Sequence, residues 1–212
     1  MTNTVFQILA SNNQLRAIGA PGGDWLSGMG LHQLAVEVGA TLNRVGIGRG
    51  DRIASVLPNG PEMAACFVAV ASSSTAAPLN PAYKSSEFEF FLSDLKPAAL
   101  IVADGDVGPA RVVAERLSIP VIRLIRTGAR AGLFRLDTSN LSPMPSARPG
   151  PAEAEDVALL LHTSGTTARP KLVPLTNRNL AASALNIGTS LALSPADTCL
   201  NIMPLFHIHG LV

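Results

Sequence analysis

The chain has 212 residues, 47% of them hydrophobic, which is enough for one sizeable core or two small ones. Sixteen basic residues stand against 15 acidic ones, a formal charge of +1, and there are only 7 Phe, 1 Tyr and 1 Trp. That balance supplies neither the basic stripe of a nucleic-acid surface nor the aromatic platforms on which bases stack. No run approaches the roughly 18 apolar residues of a membrane span; residues 63–71 come nearest and are too few. Met1-Thr2-Asn3-Thr4 has no basic stretch ahead of an apolar one, so no secretory signal is expected and a cytoplasmic protein is the default. Cys66 and Cys199 lie far apart in apolar contexts and read as buried free thiols, and no Cys/His spacing resembles a zinc site.

Phe6, Leu9, Ala10 and Asn13 suggest a short N-terminal helix. Leu31, Leu34, Ala35, Val38, Leu42 and Val45 repeat at helical spacing, and Gly46 and Gly48 end that helix. Residues 52–57 read as a strand. Asn59-Gly60-Pro61 opens a helix to about Ser72, with proline in the first turn. Residues 75–79 form the next strand. Ser86 and Glu89 have capping-box spacing, with Phe88, Phe91, Leu92 and Leu95 along one helix face. A strand over 98–102, a helix over 107–117 and a strand over 121–125 follow. Strands alternating with helices predict an α/β fold with a doubly wound, mainly parallel sheet. Residues 141–155 break the pattern with Pro143, Pro145, Pro149, Gly150 and Pro151 and no apolar period, the composition of an exposed linker. The expected organisation is a first lobe over 1–140, a linker over 141–156, and the start of a second lobe over 157–212. In that second lobe, Thr176 caps a helix that carries Leu180, Ala184, Ile187 and Leu191 on one face. Residues 198–203 read as a buried strand leading to Pro204.

The apolar run Leu159-Leu160-Leu161 stops at His162, and Thr163-Ser164-Gly165-Thr166-Thr167-Ala168-Arg169-Pro170-Lys171 follows. A Ser/Thr/Gly cluster between strands is often only a turn. Here the hydroxyls are contiguous, and a lysine closes the segment in a chain of three lysines and thirteen arginines. Glycine lets backbone amides approach phosphate oxygens, hydroxyls add donors, and an ammonium group adds a point charge. A P-loop NTPase needs Gly-x-x-x-x-Gly-Lys-Ser/Thr opening a helix. No second glycine precedes Lys171, Leu172 stands where the magnesium hydroxyl would be, and Pro174 makes the following segment extended. The pattern is that of a phosphate-binding loop of another kind, at the carboxyl end of a strand, where doubly wound sheets bind ligands. His162 is expected to pack beneath the loop, and Arg169 to be solvated.

From Thr163 to Lys171 the chain resembles the phosphate-loop signature of the adenylate-forming enzymes, the family of acyl-CoA synthetases, nonribosomal-peptide adenylation domains and luciferases. The resemblance extends through Val173-Pro174-Leu175-Thr176 with Asn179-Leu180, and through Pro204-Leu205-Phe206-His207-Ile208-His209-Gly210. It also includes the upstream framework of Gly50-Asp51-Arg52, Leu57-Pro58-Asn59 and Pro78-Leu79-Asn80-Pro81, so it covers nearly the whole chain. Ala168 departs from the glycine or serine usual in the family. Ala77-Pro78-Leu79-Asn80, Glu87-Phe88-Glu89-Phe90 and Phe206-His207-Ile208-His209-Gly210 are most similar to the oxalate-CoA ligase group.

The resemblance implies two half-reactions. A carboxylic acid attacks the α-phosphate of ATP to give an acyl-adenylate and pyrophosphate, and the thiol of coenzyme A then displaces AMP. It further implies that Thr163, Ser164, Gly165, Thr166, Thr167 and Lys171 hold the phosphates, that Thr166 and Thr167 lie near Mg²⁺, and that Lys171 and His207 are catalytic, His207 on the acid side. Histidines in such strand-end loops are also commonly structural, which is the expectation for His209. Family members continue for several hundred residues beyond the match to Val212. The expectation is therefore an N-terminal fragment of an ATP-dependent acid-CoA ligase, inactive alone. The alternative is a non-catalytic phosphate-binding or scaffold lobe. Self-association or a missing C-terminal remainder is expected to cover its unpaired sheet edge.

Overall fold

Arg52–Val56 (β3) is the strand around which the sheet is built, and its register explains both faces of the molecule. The computed structural model describes residues 2–11, 16–163 and 170–211. Before β3 come a helix Val5–Ser11 (α1), a two-stranded ribbon of Arg16–Ile18 (β1) and Leu26–Ser27 (β2), and a long helix Gly28–Asn43 (α2). After it come Pro61–Ala71 (α3), Thr75–Pro78 (β4), Ser85–Leu95 (α4), Ala99–Ala103 (β5), Pro109–Arg116 (α5), Val121–Arg126 (β6) and Phe134–Asp137 (β7). The chain continues with Val157–Thr163 (β8), Lys171–Thr176 (β9), Asn177–Ser190 (α6) and a single turn Ile208–Leu211 (α7). The sheet order is β7-β6-β5-β3-β4-β8-β9, parallel from β6 to β8 and antiparallel at both edges. The α/β, doubly wound, mainly parallel architecture expected from the alternation of elements is the one observed.

Side chains alternate across a strand with period two. Ile53, Ala76, Ile101 and Leu159 face one core layer, under α1, α2 and α3. Ala54, Val56, Ala77, Leu100 and Leu160 face the other, under α4 and α5. Burying each large aliphatic side chain in these layers stabilises the fold by about 1.5–3 kcal/mol before entropy is counted. Phe88, Leu92 and Leu95, expected on the inner face of α4, are fully buried.

The local signals differ in several places from those the sequence suggests. α4 begins two residues earlier than Ser86 and Glu89 predict: Glu87 Oε2 accepts from the Lys84 N–H at 2.8 Å, and Glu89 pairs with Arg116 instead. Ser27, unremarkable in sequence, caps α2 by accepting from the Gly30 N–H at 3.1 Å. Cys66 is buried, and burial pushes its thiol up to about 12, but Cys199 is exposed rather than buried. Residues 198–203 are not a strand: they have no ladder partner among the described residues, and Leu200 and Ile202 are each 79% exposed. An apolar run predicts burial only where a neighbour stands ready to accept its hydrogen bonds. On α6, Leu180 is buried, whereas Ile187 and the following Leu191 are exposed.

The proline-rich segment 141–156 lies mostly on the surface but is fastened along its length. The Met144 N–H donates to Arg44 O, Ser146 N–H to Asn43 O, and Ala152 N–H to Ser72 O, all between 2.8 and 2.9 Å. At its end Asp156 organises a knot. Arg49 Nε donates to Asp156 Oδ2 at 2.6 Å and Arg148 Nη2 to Oδ1 at 3.1 Å, while the Asp156 carbonyl accepts from the Asn177 N–H at 2.9 Å. Asn177, fully buried, passes the connection to the N-terminus by accepting from the Val5 N–H at 3.1 Å. Immediately after the knot β8 enters the sheet beside β4, where the Thr75 hydroxyl donates to the Val157 carbonyl at 2.6 Å.

Partial burial opposes ionisation of Asp156, but the hydrogen bond from Arg49, that from the Glu153 N–H and the charges of Arg49 and Arg148 outweigh it and hold the carboxyl below its usual range. A carboxylate with a depressed folded pKa contributes stability above its unfolded value of about 3.9 and loses it as pH falls through the folded value. Asp156→Asn is therefore expected to lower Tm at pH 7 by about 3–5 °C. Its deficit should shrink when thermal melts are repeated below about pH 4.

Candidate phosphate-binding site

β8 carries three consecutive leucines because both of its faces are covered. Leu159 and Leu161 enter the core layer under α2 and α3, and Leu160 enters the layer under α4. The strand ends at the carboxyl edge of the sheet with His162 and Thr163. β9 returns antiparallel, pairing His162 with Leu172 and Thr163 with Lys171. The extended conformation expected after Lys171 is thus present. Directly opposed residues of an antiparallel pair share a face, so the Thr163 hydroxyl and the Lys171 side chain project to the same side of the hairpin. Thr163 Oγ1 lies 3.4 Å from the Lys171 carbonyl, and both residues are exposed. Ser164, Gly165, Thr166 and Thr167, expected to complete the loop, lie outside the described residues, as do Ala168 and Arg169.

β9 runs into α6, whose N-terminus is closed by a reciprocal cap. Thr176 Oγ1 accepts from the Asn179 N–H at 3.2 Å, and Asn179 Oδ1 accepts from the Thr176 N–H at 2.9 Å. The cap expected at Thr176 is present. It holds the downstream end of the hairpin against the sheet.

His162 turns from the end of β8 toward α4, and the loop beneath which it is expected to pack lies outside the described residues. Its ring stands edge-on to Phe91 of α4 with centroids 4.8 Å apart.

The second motif, Pro204 to Gly210, docks on the same edge of the sheet through a contact not anticipated from sequence. The Leu205 N–H donates to Asn59 Oδ1 at 2.7 Å, and the Leu205 side chain is buried in the first core layer. Asn59, expected to cap α3, follows β3 at its carboxyl end and instead accepts from this distant turn; no side chain caps α3 at Gly60. The turn is tight. The His207 N–H donates to Pro204 O at 3.1 Å and the Gly210 N–H to His207 O at 3.0 Å. A Cβ on Gly210 would collide with the Pro204 carbonyl oxygen, so only glycine fits there. Asn201 Nδ2 braces the turn from outside by donating to Gly210 O at 2.7 Å. His207 is exposed, its ring tilted against Phe206 at 4.6 Å, and His209 is exposed as well. The loop-bearing hairpin and the histidine turn thus both lie at the carboxyl ends of parallel strands, the hairpin after β8 and the turn against Asn59 after β3.

Among the described residues, a hydroxyl at Thr163 and an ammonium group at Lys171 share one face at this edge, a pairing that suits an anion. No group of three or more His, Cys, Asp or Glu side chains able to hold a metal ion occurs among the described residues. Beside Lys171 the described oxygen donors are the Thr163 hydroxyl and the Lys171 carbonyl, neutral oxygens of the kind that accept Mg²⁺ arriving with a phosphate; Thr166 and Thr167, expected near the metal, lie outside the described residues.

Residues 8–212 match the family model described as AMP-binding enzyme. An oxalate–CoA ligase of Arabidopsis thaliana is 39% identical over 199 residues, covering 93% of this chain and 39% of that protein. An oxalate–CoA ligase of Saccharomyces cerevisiae is 36% identical over 186 residues, covering 77% of this chain and 34% of its own length. Among solved structures, ATP-bound MatB from Rhodopseudomonas palustris superposes with a TM-score of 0.77 at 26% identity, over all of this chain and 42% of that one. The chain belongs to the AMP-binding enzyme family. It spans less than half the length of these proteins, and the two sequence relatives are CoA ligases by name.

Asn59→Ala is expected to free the histidine turn while leaving the sheet intact. Amide exchange at Leu205 should quicken about fivefold, the value of one lost neutral hydrogen bond. Asn59→Asp, which keeps an acceptor, should hold exchange near the parent rate. Equal rates in all three proteins would show that the contact does not secure the turn.

Proposed function

We propose that this chain is the N-terminal part of an ATP-dependent, AMP-forming acid–CoA ligase that acts on a short carboxylic acid, with oxalate the first candidate. The observation that carries the reading is the hairpin itself: Thr163 faces Lys171 across the closing pair of a strand that ends at the carboxyl edge of a parallel sheet. The full-length oxalate–CoA ligases among the relatives support the choice of acid. In this reading residues 1–140 form the first lobe and 141–156 the connection, and 157–212 open a second lobe that presents the phosphates and begins by adding β8 and β9 to the first lobe's sheet. A cytoplasmic location follows as the default for such an enzyme.

Thr163, Ser164, Gly165, Thr166, Thr167 and Lys171 hold the triphosphate through amides, hydroxyls and one charge. A carboxylate oxygen attacks the α-phosphorus, the bond to the bridging oxygen breaks, and pyrophosphate leaves. Negative charge grows on the transferring and departing phosphates, where a fixed ammonium group and aligned donors stabilise it most. Mg²⁺ arriving with the nucleotide would supply further positive charge there, and Thr166 and Thr167 are the hydroxyls that would lie near it. The His207 imidazole, on a turn fixed from Asn59, orients the reacting carboxylate by hydrogen bonding. The thiol of coenzyme A then attacks the acyl carbon, and AMP departs.

A second reading has its own observation. Leu185, Ile187, Leu191, Leu193, Leu200 and Ile202 are exposed along α6 and the segment after it, and β9 has no partner beyond β8 among the described residues. Surfaces of this kind act in company with further polypeptide, another copy or a remainder of the chain. On this reading the 212 residues bind phosphate or serve as a scaffold lobe without turnover.

Pyrophosphate release from Mg-ATP with coenzyme A separates the two, using oxalate, malonate and a long-chain fatty acid as the panel. Release with oxalate, from the chain alone or after addition of the complementary C-terminal part of an oxalate–CoA ligase, supports the ligase reading, and silence in both supports the lobe. In a protein that does turn over, Lys171→Ala should raise the adenylation barrier by about 2–4 kcal/mol. Unchanged release by that variant would remove Lys171 from the phosphate site.

A further inference from the structure

His162 is the last inward-facing side chain of β8, one residue before the candidate loop. Strand alternation sends it to the same face as Leu160, toward α4. Its Nε2 lies 3.0 Å from Asp94 Oδ2. The imidazole is 6% exposed and the Asp94 side chain 48% exposed, so one partner is buried and the other reaches solvent. A carboxylate only accepts, so Nε2 carries the proton and donates it. Phe91, against which the ring stands edge-on, stacks in turn on Tyr83 at 4.7 Å and 12°. Tyr83 belongs to the connection after β4, and burial, with Glu87 nearby, raises its phenol above the usual value. Strand end, helix and connection therefore converge on one imidazole. Packing alone could be supplied by a leucine or phenylalanine. A hydrogen bond adds direction, because it fixes how the ring is turned and hence how the backbone leaves the strand.

We propose that His162 and Asp94 form a positioning pair for the phosphate hairpin, in which Asp94 on α4 fixes the direction in which Thr163 leaves β8 and so its alignment opposite Lys171. The pair rests on the phosphate-site reading above for its functional meaning. Neither residue contacts nucleotide; both act through the strand.

The test compares the parent chain with Asp94→Ala, Asp94→Asn and His162→Phe, first without nucleotide. Asp94→Ala and His162→Phe should speed amide exchange at Thr163 and Lys171 about fivefold, with β5 amides as an unmoved control. Asp94→Asn, whose amide oxygen still accepts, should return exchange close to the parent rate. In ATP titrations the same two variants should weaken Kd by a similar factor, again restored in Asp94→Asn. Unchanged exchange at Thr163 and Lys171 in Asp94→Ala and His162→Phe overturns the pair. Faster exchange throughout the sheet, or an Asp94→Asn no better than Asp94→Ala, also overturns it, because the role is then general stability. If exchange behaves as expected but the parent chain binds no ATP, the pair stands as a hairpin anchor and the phosphate reading fails.

Discussion

The double-sided burial of β8 is the constraint on which the candidate site depends. Leu159 and Leu161 lock one face of the strand into the first core layer, and Leu160 locks the other into the second. A slip of one residue would exchange the faces and drive His162 and Thr163 to the wrong sides. Register is therefore set by apolar packing, and the polar residues at the strand end inherit their direction from it. The knot at Asp156 sets where the strand begins, and the cap between Thr176 and Asn179 sets where its partner ends. Those two fixed points hold the described strands of the hairpin at either end.

Much of this was legible in the sequence, because it rests on local signals. Strand and helix alternation gave the sheet and its parallel character. The contiguous hydroxyls and closing lysine marked the hairpin, Thr176 marked the helix after it, and Phe88, Phe91, Leu92 and Leu95 marked the buried face of α4. The parts that were not legible depend on distant partners. Asn59 looks like a helix cap from its neighbours, yet its oxygen accepts from Leu205, 146 positions away. Asn177 looks like an ordinary helix-start residue, yet it is fully buried between Asp156 and Val5. Asp94 gave no signal, since nothing local distinguishes an aspartate that meets a histidine from one that meets water. Residues 198–203 failed in the opposite direction, because an apolar run cannot report whether a strand lies beside it.

Two kinds of interaction divide the work at the carboxyl edge. Apolar contacts place the elements: Leu205 in the core beneath the histidine turn, Phe91 against the base of the hairpin. Hydrogen bonds then orient them, donated by the turn to Asn59 and by His162 to Asp94. Each bond is worth about 1 kcal/mol in stability. Their larger effect is geometric, since catalytic and binding groups must be held within fractions of an ångström to act together. Lys171 and His207 come from separate segments, one on the hairpin and one on the turn, and the same sheet edge carries both.

The most direct measurement of the central claim is a crystal structure of the chain with Mg-ATP bound. The account predicts the triphosphate against the turn that joins β8 to β9, within hydrogen-bonding reach of the Thr163 hydroxyl and the Lys171 ammonium group. Phosphates bound elsewhere on the molecule, with Lys171 directed into solvent, would contradict it.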